Sequence, residues 1–289
     1  MRIMKTTTTE KQVKRLLVPT DFTKVIDYAM DHAMKLARTM GAEVWLLHMV
    51  PDIEEQEVVE RRLEAEKQRA AAIESSVTVH TMVRQGKPYA GIGEAASEIG
   101  AELIIMGTHG MRGMQFITGS RALRVITSSS VPFIVVQERG LRAGGYKNIV
   151  VPMDLQRETR QSIGLVARIA SYFNGKAHVI VPRETDEFLH HKLKDNILYA
   201  EKFLKERNIA MEAVVAEADS GGGFVKYVLE YARKTDADLI AVMNMAGTNI
   251  FGTLGVPHEE DMITNTAMIP VMLLNPVNNT AGTTGWTFQ

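Results

Sequence analysis

One pattern is written twice along these 289 residues, and that repetition limits the folds open to the chain more than any single motif does. "VKRLLVPTD" (13–21) is answered by "YKNIVVPMD" (146–154), "AELIIMG" (101–107) by "ADLIAVM" (237–243), and "SVPFIVV" (130–136) by "MIPVMLL" (268–274). Equivalent positions lie 133 apart for Asp21 and Asp154, 136 for Ala101 and Ala237, and 138 for Pro132 and Pro270. Three matches in one order, with so little drift, mean a tandem duplication with few insertions. The expected units are a copy over 14–140 and a copy over 141–277, with the boundary in "ERGLRAGGY" (138–146). Residues 1–13 and 278–289 are polar, lack periodicity and are expected as mobile tails.

Within the first copy, short apolar runs alternate with segments of helical spacing. "RLLVPTDF" (15–22) is stopped by Pro19 and Asp21, and "DYAMDHAMKLARTMGA" carries a helical apolar stripe that closes at Gly41. "EVWLLHMV" (43–50), a charged helix over 54–76, "VTVHTMV" (77–83) and a helix over 88–99 follow. "ELIIM" (102–106), a helix from about Ser120 to Ser129 and "VPFIVVQ" (131–137) complete the unit. Parallel strands need crossover helices, and right-handed crossovers cover both faces of the sheet. The fold class is therefore α/β: two tandem open, mostly parallel five-stranded sheets flanked by helices.

Charge and composition narrow the function. Lys plus Arg (33) and Asp plus Glu (34) nearly cancel, which argues against a dedicated nucleic-acid or membrane-surface partner. With no cysteine, thiol catalysis, disulfides and thiolate metal sites are excluded. No run has the length of a signal peptide core or a membrane span, so a cytoplasmic protein is expected.

Ligands of open parallel sheets bind beyond the carboxyl ends of the strands, where the strand order reverses. If the first and fourth strands are neighbours, Asp21 ends one wall of that crevice and Gly107 the other. The stretch "GTHGMRGMQFITGSRAL" (107–123) then supplies turning backbone at Gly107 and Gly110, and a helix opening at Gly119-Ser120 with free N–H groups and the positive end of its dipole. Donors converging on one spot suit a phosphate chain. Asp21 suits a ribose hydroxyl or an adenine amino group, and Arg112 or Arg121 would add charge.

"VPTDF", "LLHMV", "IIMGTHG" followed by "GS", and "SSVPFIVVQ" together resemble the universal stress protein family, and the two copies look like its tandem members. The resemblance is strong over 14–137 and weaker over 146–277. It implies a Rossmann-like, adenine nucleotide alpha hydrolase-like fold with strand order 3-2-1-4-5, a role in stress response, and ATP or AMP as ligand, with or without Mg²⁺. Carried over by position, it implies Pro19, Thr20 and Asp21 on the base and ribose side, Met49 and Met106 beside them, and Gly107, His109, Gly110, Gly119, Ser120 and Arg121 around ribose and phosphates. Nucleotide-binding members place nine residues between the second glycine and Gly-Ser/Thr; this chain places eight. The family's habit of pairing fifth strands implies that "VPFIVVQ" and "IPVMLLN" join within the chain; a homodimer and an unidentified protein partner stay open.

The second copy departs from that pattern. Asn244 stands opposite Gly107, Gly247 keeps the second glycine, and Pro257-His258 replaces Gly119-Ser120, with Glu259, Glu260 and Asp261 behind. Carboxylates in a first helical turn satisfy the dipole and repel phosphate, so this half is not expected to bind ATP as the first does, although it keeps Asp154. "GIGEAA" (91–96) falls inside the third helix and is not read as a dinucleotide loop; "SGGG" (220–223) is read as a helix start. "HHK" (190–192) and "HEED" (258–261) lack metal-binding spacing, and His48 is read as a packed strand histidine. Two rival functions remain, a slow ATPase or phosphotransferase and a scaffold that binds no nucleotide. Neither a P-loop lysine nor a general base beside the phosphate end supports the first.

Overall fold

The alternating runs form ten strands and eight helices in the computed structural model, which describes residues 13–51, 56–108, 119–219, 222–244 and 258–276. Nearly all of the two expected tails lies outside these residues. In the first half β1 (Lys14–Pro19), β2 (Ala42–Val50), β3 (Val79–Gln85), β4 (Leu103–Gly107) and β5 (Phe133–Val136) stand in the order β3-β2-β1-β4-β5. All four pairings are parallel, and β1 has β4 as a neighbour, so the order reverses between them. The second half repeats this order with β6 (Asn148–Pro152), β7 (Lys176–Val181), β8 (Ala210–Val215), β9 (Leu239–Met243) and β10 (Val271–Leu274).

The two sheets are one. β5 and β10 pair antiparallel, Val135 with Val271, Ile134 with Met272 and Phe133 with Leu273, which makes a single ten-stranded sheet. The expected edge-to-edge pairing therefore forms, and both inner edges lose their unpaired backbone groups.

Helices cover both faces. α1 (Val25–Met40), α2 (Gln56–Ile73), α5 (Arg160–Phe173) and α6 (Glu187–Lys205) bury their stripes in one apolar layer, and α3 (Pro88–Glu98), α4 (Gly119–Thr127), α7 (Gly222–Lys234) and α8 (His258–Ile263) in the other. Each layer runs continuously under both halves, because the β5–β10 join keeps each face of the sheet on its own side. α1 ends as the sequence predicts, with Gly41 at φ 64°, where its N–H returns to the last carbonyls of the helix.

The segment between the halves is pinned to both. His32 of α1 accepts from the Tyr146 hydroxyl at Nδ1 (2.6 Å) and donates from Nε2 to the Arg139 carbonyl (2.9 Å). Asp31 accepts from the Leu141 N–H at 2.7 Å, and Arg142 pairs with Asp236 and Asp238 of the second half. The join itself carries a matched pair of contacts. Asn275, just after β10, donates to the Ile126 and Ser129 carbonyls at the end of α4, and Gln137, just after β5, donates to the Asn265 carbonyl beyond α8.

Candidate functional site

Where β1 leaves the sheet, the sequence PTDFT makes its own turn. The Thr20 N–H bonds the Leu47 carbonyl of β2 (2.8 Å), the Thr20 hydroxyl accepts from the Phe22 N–H (3.0 Å), and Asp21 Oδ1 accepts from both the N–H and the hydroxyl of Thr23 (3.0 and 2.6 Å). These local bonds fix the side chains before any ligand arrives. Asp21 Oδ2 accepts no hydrogen bond among the described residues. Phe22 is held at φ 61°, a left-handed conformation that costs a bulky residue of the order of 1 kcal/mol and marks a segment fixed by its surroundings.

That turn forms one wall of a cavity of about 1000 Å³. The cavity runs across the carboxyl ends of β3, β2, β1 and β4, from Gly86 and Lys87 through Met49 and Asp21 to Gly107, with Val125 of α4 alongside. Its size lies at the top of the range for small-molecule sites, about 300–1,000 Å³, and its lining is mostly apolar with a few polar groups, as such sites are.

Pro19, Thr20, Asp21, Met49 and Gly107 all border this space. Met106 does not: it is buried in the apolar layer under α3 and α4. Gly119, Ser120 and Arg121 form the first turn of α4, the helix that borders the cavity; His109 and Gly110 lie outside the described residues. Gly107 has a further reason to be glycine. A β-carbon there would stand 3.0 Å from Val25 Cγ1 and 3.1 Å from the Val25 carbonyl oxygen, so the end of β4 is pressed against the start of α1.

Four features of the cavity were not read from the sequence. His48, packed and hydrogen-bonded through Nδ1 to the Thr20 carbonyl at 2.7 Å, also lines it. The Phe22 ring lies against the His48 imidazole with centroids 4.5 Å apart, and the Arg62 guanidinium of α2 sits 4.0 Å from the Phe22 ring centre. Gly86 and Lys87, between β3 and α3, and Pro88 and Tyr89, which open α3, close the far end. The Gly86-Lys87-Pro88 turn just past a strand's carboxyl end was a legible signal for that wall; nothing in the sequence marks Arg62.

"GIGEAA" lies inside α3, as expected, and its glycines serve packing. A β-carbon at Gly91 would fall 2.3 Å from Met49 Cε, and one at Gly93 would fall 3.0 Å from Ser129 Cβ. Gly222 and Gly223 of "SGGG" open α7, His190 and His191 lie on α6, and among the described residues no group of three or more His, Asp or Glu is placed to hold a metal ion. No helix among these residues is long and apolar enough to cross a membrane.

The matching turn of the second half is closed in on itself. Asp154 is 5% exposed, accepts from the Gln156 N–H at 2.8 Å, and burial pushes its carboxyl up to about 7, with Glu158 nearby adding to the rise. Asn196 of α6 donates to the Asp154 carbonyl (2.7 Å) and accepts from Arg160 (2.7 Å), so side chains from α5 and α6 lie over the end of β6. Asn244, opposite Gly107, donates to Asn275 (2.6 Å) and Thr127 (3.3 Å) and is used at the join between halves.

Known proteins carry the same arrangement. A crystal structure of a universal stress protein from Archaeoglobus fulgidus superposes over 92% of this chain and 97% of its own with a TM-score of 0.71 at 15% identity, which establishes the fold over both halves. Among curated proteins, a universal stress protein of Methanocaldococcus jannaschii is 33% identical over 144 residues, 45% of this chain and 85% of the relative. Universal stress protein A homolog 2 of Coxiella burnetii is 27% identical over 124 residues, 38% of this chain and 85% of its own length. The profile of the Universal stress protein family matches residues 12–137, the half that contains the cavity. Sequence and fold agree, and the chain belongs to the universal stress protein family, with the family's fold present in both halves.

Proposed function

We propose that the first half binds an adenine nucleotide, ATP or AMP, and that occupancy governs how the chain meets a partner in stress response. The observation that carries this reading is the cavity that joins Asp21, Met49 and Gly107 across the switch point of the strand order, with Val125 of α4 alongside. Phosphates belong at the Gly107 end, where α4 offers free N–H groups and the positive end of its dipole. The sugar then lies over β1 against Asp21, whose free carboxylate oxygen accepts a ribose hydroxyl, and the base reaches the apolar floor at β2 and β3. Pro19, Thr20, Gly119, Ser120 and Arg121 line this path in the proposal, with His109 and Gly110 completing the phosphate end.

The second half is closed to the ligand in this reading: among the described residues Asn196 joins the Asp154 carbonyl to Arg160 where the ligand would lie. The module is therefore a one-site binder. The test is to denature freshly purified full-length protein and identify what it releases by chromatography and mass. ATP or AMP near one per chain is expected. Release of nothing, together with no uptake of added Mg-ATP by calorimetry, overturns the proposal; two per chain overturns the one-site part.

A further inference from the structure

The ten-stranded sheet has two outer edges, and they are finished differently. β3 starts on buried Val79 and carries Arg84, which reaches across to Glu94 and Glu98 of α3. β8, with the sequence AMEAVV, has no buried residue, and Val215 is 57% exposed. Its pairs with β7 run from Ala210 to Val215 without a bulge, and it contains neither proline nor lysine. Prolines, lysines and bulges are what usually keep an edge strand from pairing. The one charge on β8, Glu212, is neutralised within the chain by Lys176 at 2.6 Å.

The register with β7 fixes what this edge offers. The Ala216 N–H bonds the Val181 carbonyl, so the even-numbered residues of the strand turn their backbone groups to β7. Met211, Ala213 and Val215 turn theirs outward, because successive residues of a strand alternate. Their side chains share the α6 face, where Met211 packs on the apolar layer. Taken from either end, this outward row is apolar, small, apolar. An antiparallel copy centred on Ala213 therefore sets Met211 of each chain against Val215 of the other, and each outward pair exchanges two backbone bonds.

α6 matches itself in the same way. Asn196 and Tyr199 face α5 through Arg160, so the flank turned from α5 carries Lys194, exposed Leu198 and Glu201 at helical spacing. The Ile209 N–H bonds the Leu204 carbonyl. From there, the ~13 Å of strand to Ala213 is matched by ~9 residues of helix, which sets Ala213 level with the turn at Lys194 to Leu198. Two such flanks running antiparallel about Leu198 bring Lys194 of each copy to Glu201 of the other. We infer that β8 is a self-association surface, on which two copies of the chain pair β8 to β8, antiparallel about Ala213, into one continuous sheet. The contact is isologous and closes at two copies. Within the chain, β5 and β10 already join two edges in this manner.

Sedimentation equilibrium on the full-length protein is expected to give twice the 32.1 kDa of one chain. The chain has no cysteine, so Ala213→Cys introduces a single thiol. Its mate on the second copy stands about 5.5 Å away between α-carbons, within reach of a disulfide. Oxidised Ala213→Cys is expected to run as a linked dimer. Val215→Cys, displaced along the strand from its own mate, is expected to stay a single chain. Ala213→Pro removes an N–H that β7 does not use, so the fold tolerates it and the mass falls to one chain. A wild-type mass of one chain at every loading concentration overturns the proposal, and a dimer appearing only after removal of residues 277–289 would give the edge to the chain's own end. A dimer that survives Ala213→Pro, or that Val215→Cys links as readily as Ala213→Cys, overturns it too. If Ala213→Pro is unfolded by circular dichroism, the two cysteine variants decide.

Discussion

At Gly107 one residue answers to two demands, the turn into the cleft and the close approach of α1. Gly107→Ala sets a methyl group against the Val25 carbonyl at about van der Waals overlap, and moving a helix start costs roughly 1–2 kcal/mol. Thermal denaturation should report that loss even in nucleotide-free protein, because the clash is with the fold itself; an unchanged midpoint would remove the packing role. Asp154 gives a second prediction through its titration. Its carboxyl is pushed up to about 7 in the fold, so between about pH 4 and pH 7 the native state holds a proton that the unfolded chain has released. Stability therefore falls as pH rises through that window, by roughly 2–4 kcal/mol at its end. Asp154→Asn, which can still accept from Gln156, should gain on the wild type from pH 4.5 to pH 7.5 in denaturant titrations. At this scale the sequence was informative where backbone had to turn, at Pro19, Asp21 and Gly107. It was right that His48 is packed and hydrogen-bonded, on Phe22 and Thr20, but it did not show that the ring also borders the cavity, because an apolar strand leaves no mark of that.

Elements carry the coupling between the halves. The last carbonyls of α4 are left without helical partners, and Asn275 from beyond β10 supplies the donors. Asn275→Ala removes the donor to the Ser129 carbonyl, leaves Ile126 with only the Ser129 N–H, and takes from Asn244 its closer acceptor, a loss expected at about 1–3 kcal/mol. Hydrogen exchange should show faster opening of α4 while α1 is unaffected; equal protection in both proteins would contradict this. The segment joining β5 to β6 hangs on His32, which burial pushes down to about 4. Here the sign is opposite to Asp154: the contribution is full above the ordinary histidine range and is lost as pH falls towards 4, about 2 kcal/mol by pH 5. The two slopes oppose each other in the wild type, so each is visible only against its variant, His32→Gln for the second. Element order and strand order were legible because alternation of apolar runs leaves one topology open. Strand ends were less so: β3 begins at Val79 and extends to Gln85, two residues further than alternation alone suggested, since pairing with β2 up to Val50 outweighs the polar side chains of Arg84 and Gln85.

Over the whole molecule, the β5–β10 pairing makes the two copies one mechanical body. Both apolar layers pass under the join, and Arg168 of α5 pairs with Glu102 beside β4. We expect a single calorimetric transition whose van't Hoff and calorimetric enthalpies agree. Met272→Pro, which removes a backbone donor from a strand buried between two others, should cost more than about 3 kcal/mol and split that transition in two. Two transitions in the unaltered protein would show that the copies fold independently. The duplication was plain from three matched segments, and the pairing of last strands followed from the resemblance. The closure of the second turn was only half visible: the carboxylates behind His258 stand in the sequence, but the bond to the Asp154 carbonyl comes from Asn196 of α6, a helix further along the chain. One consequence follows from the antiparallel join. Strands of the first half end at one rim of the sheet and those of the second half at the opposite rim, so the cavity of the first half and the closed turn at Asp154 of the second face opposite directions. On the proposed reading, a macromolecule sensing a ligand in that cavity would touch the first half's rim alone and leave the far rim to a different neighbour at the same time.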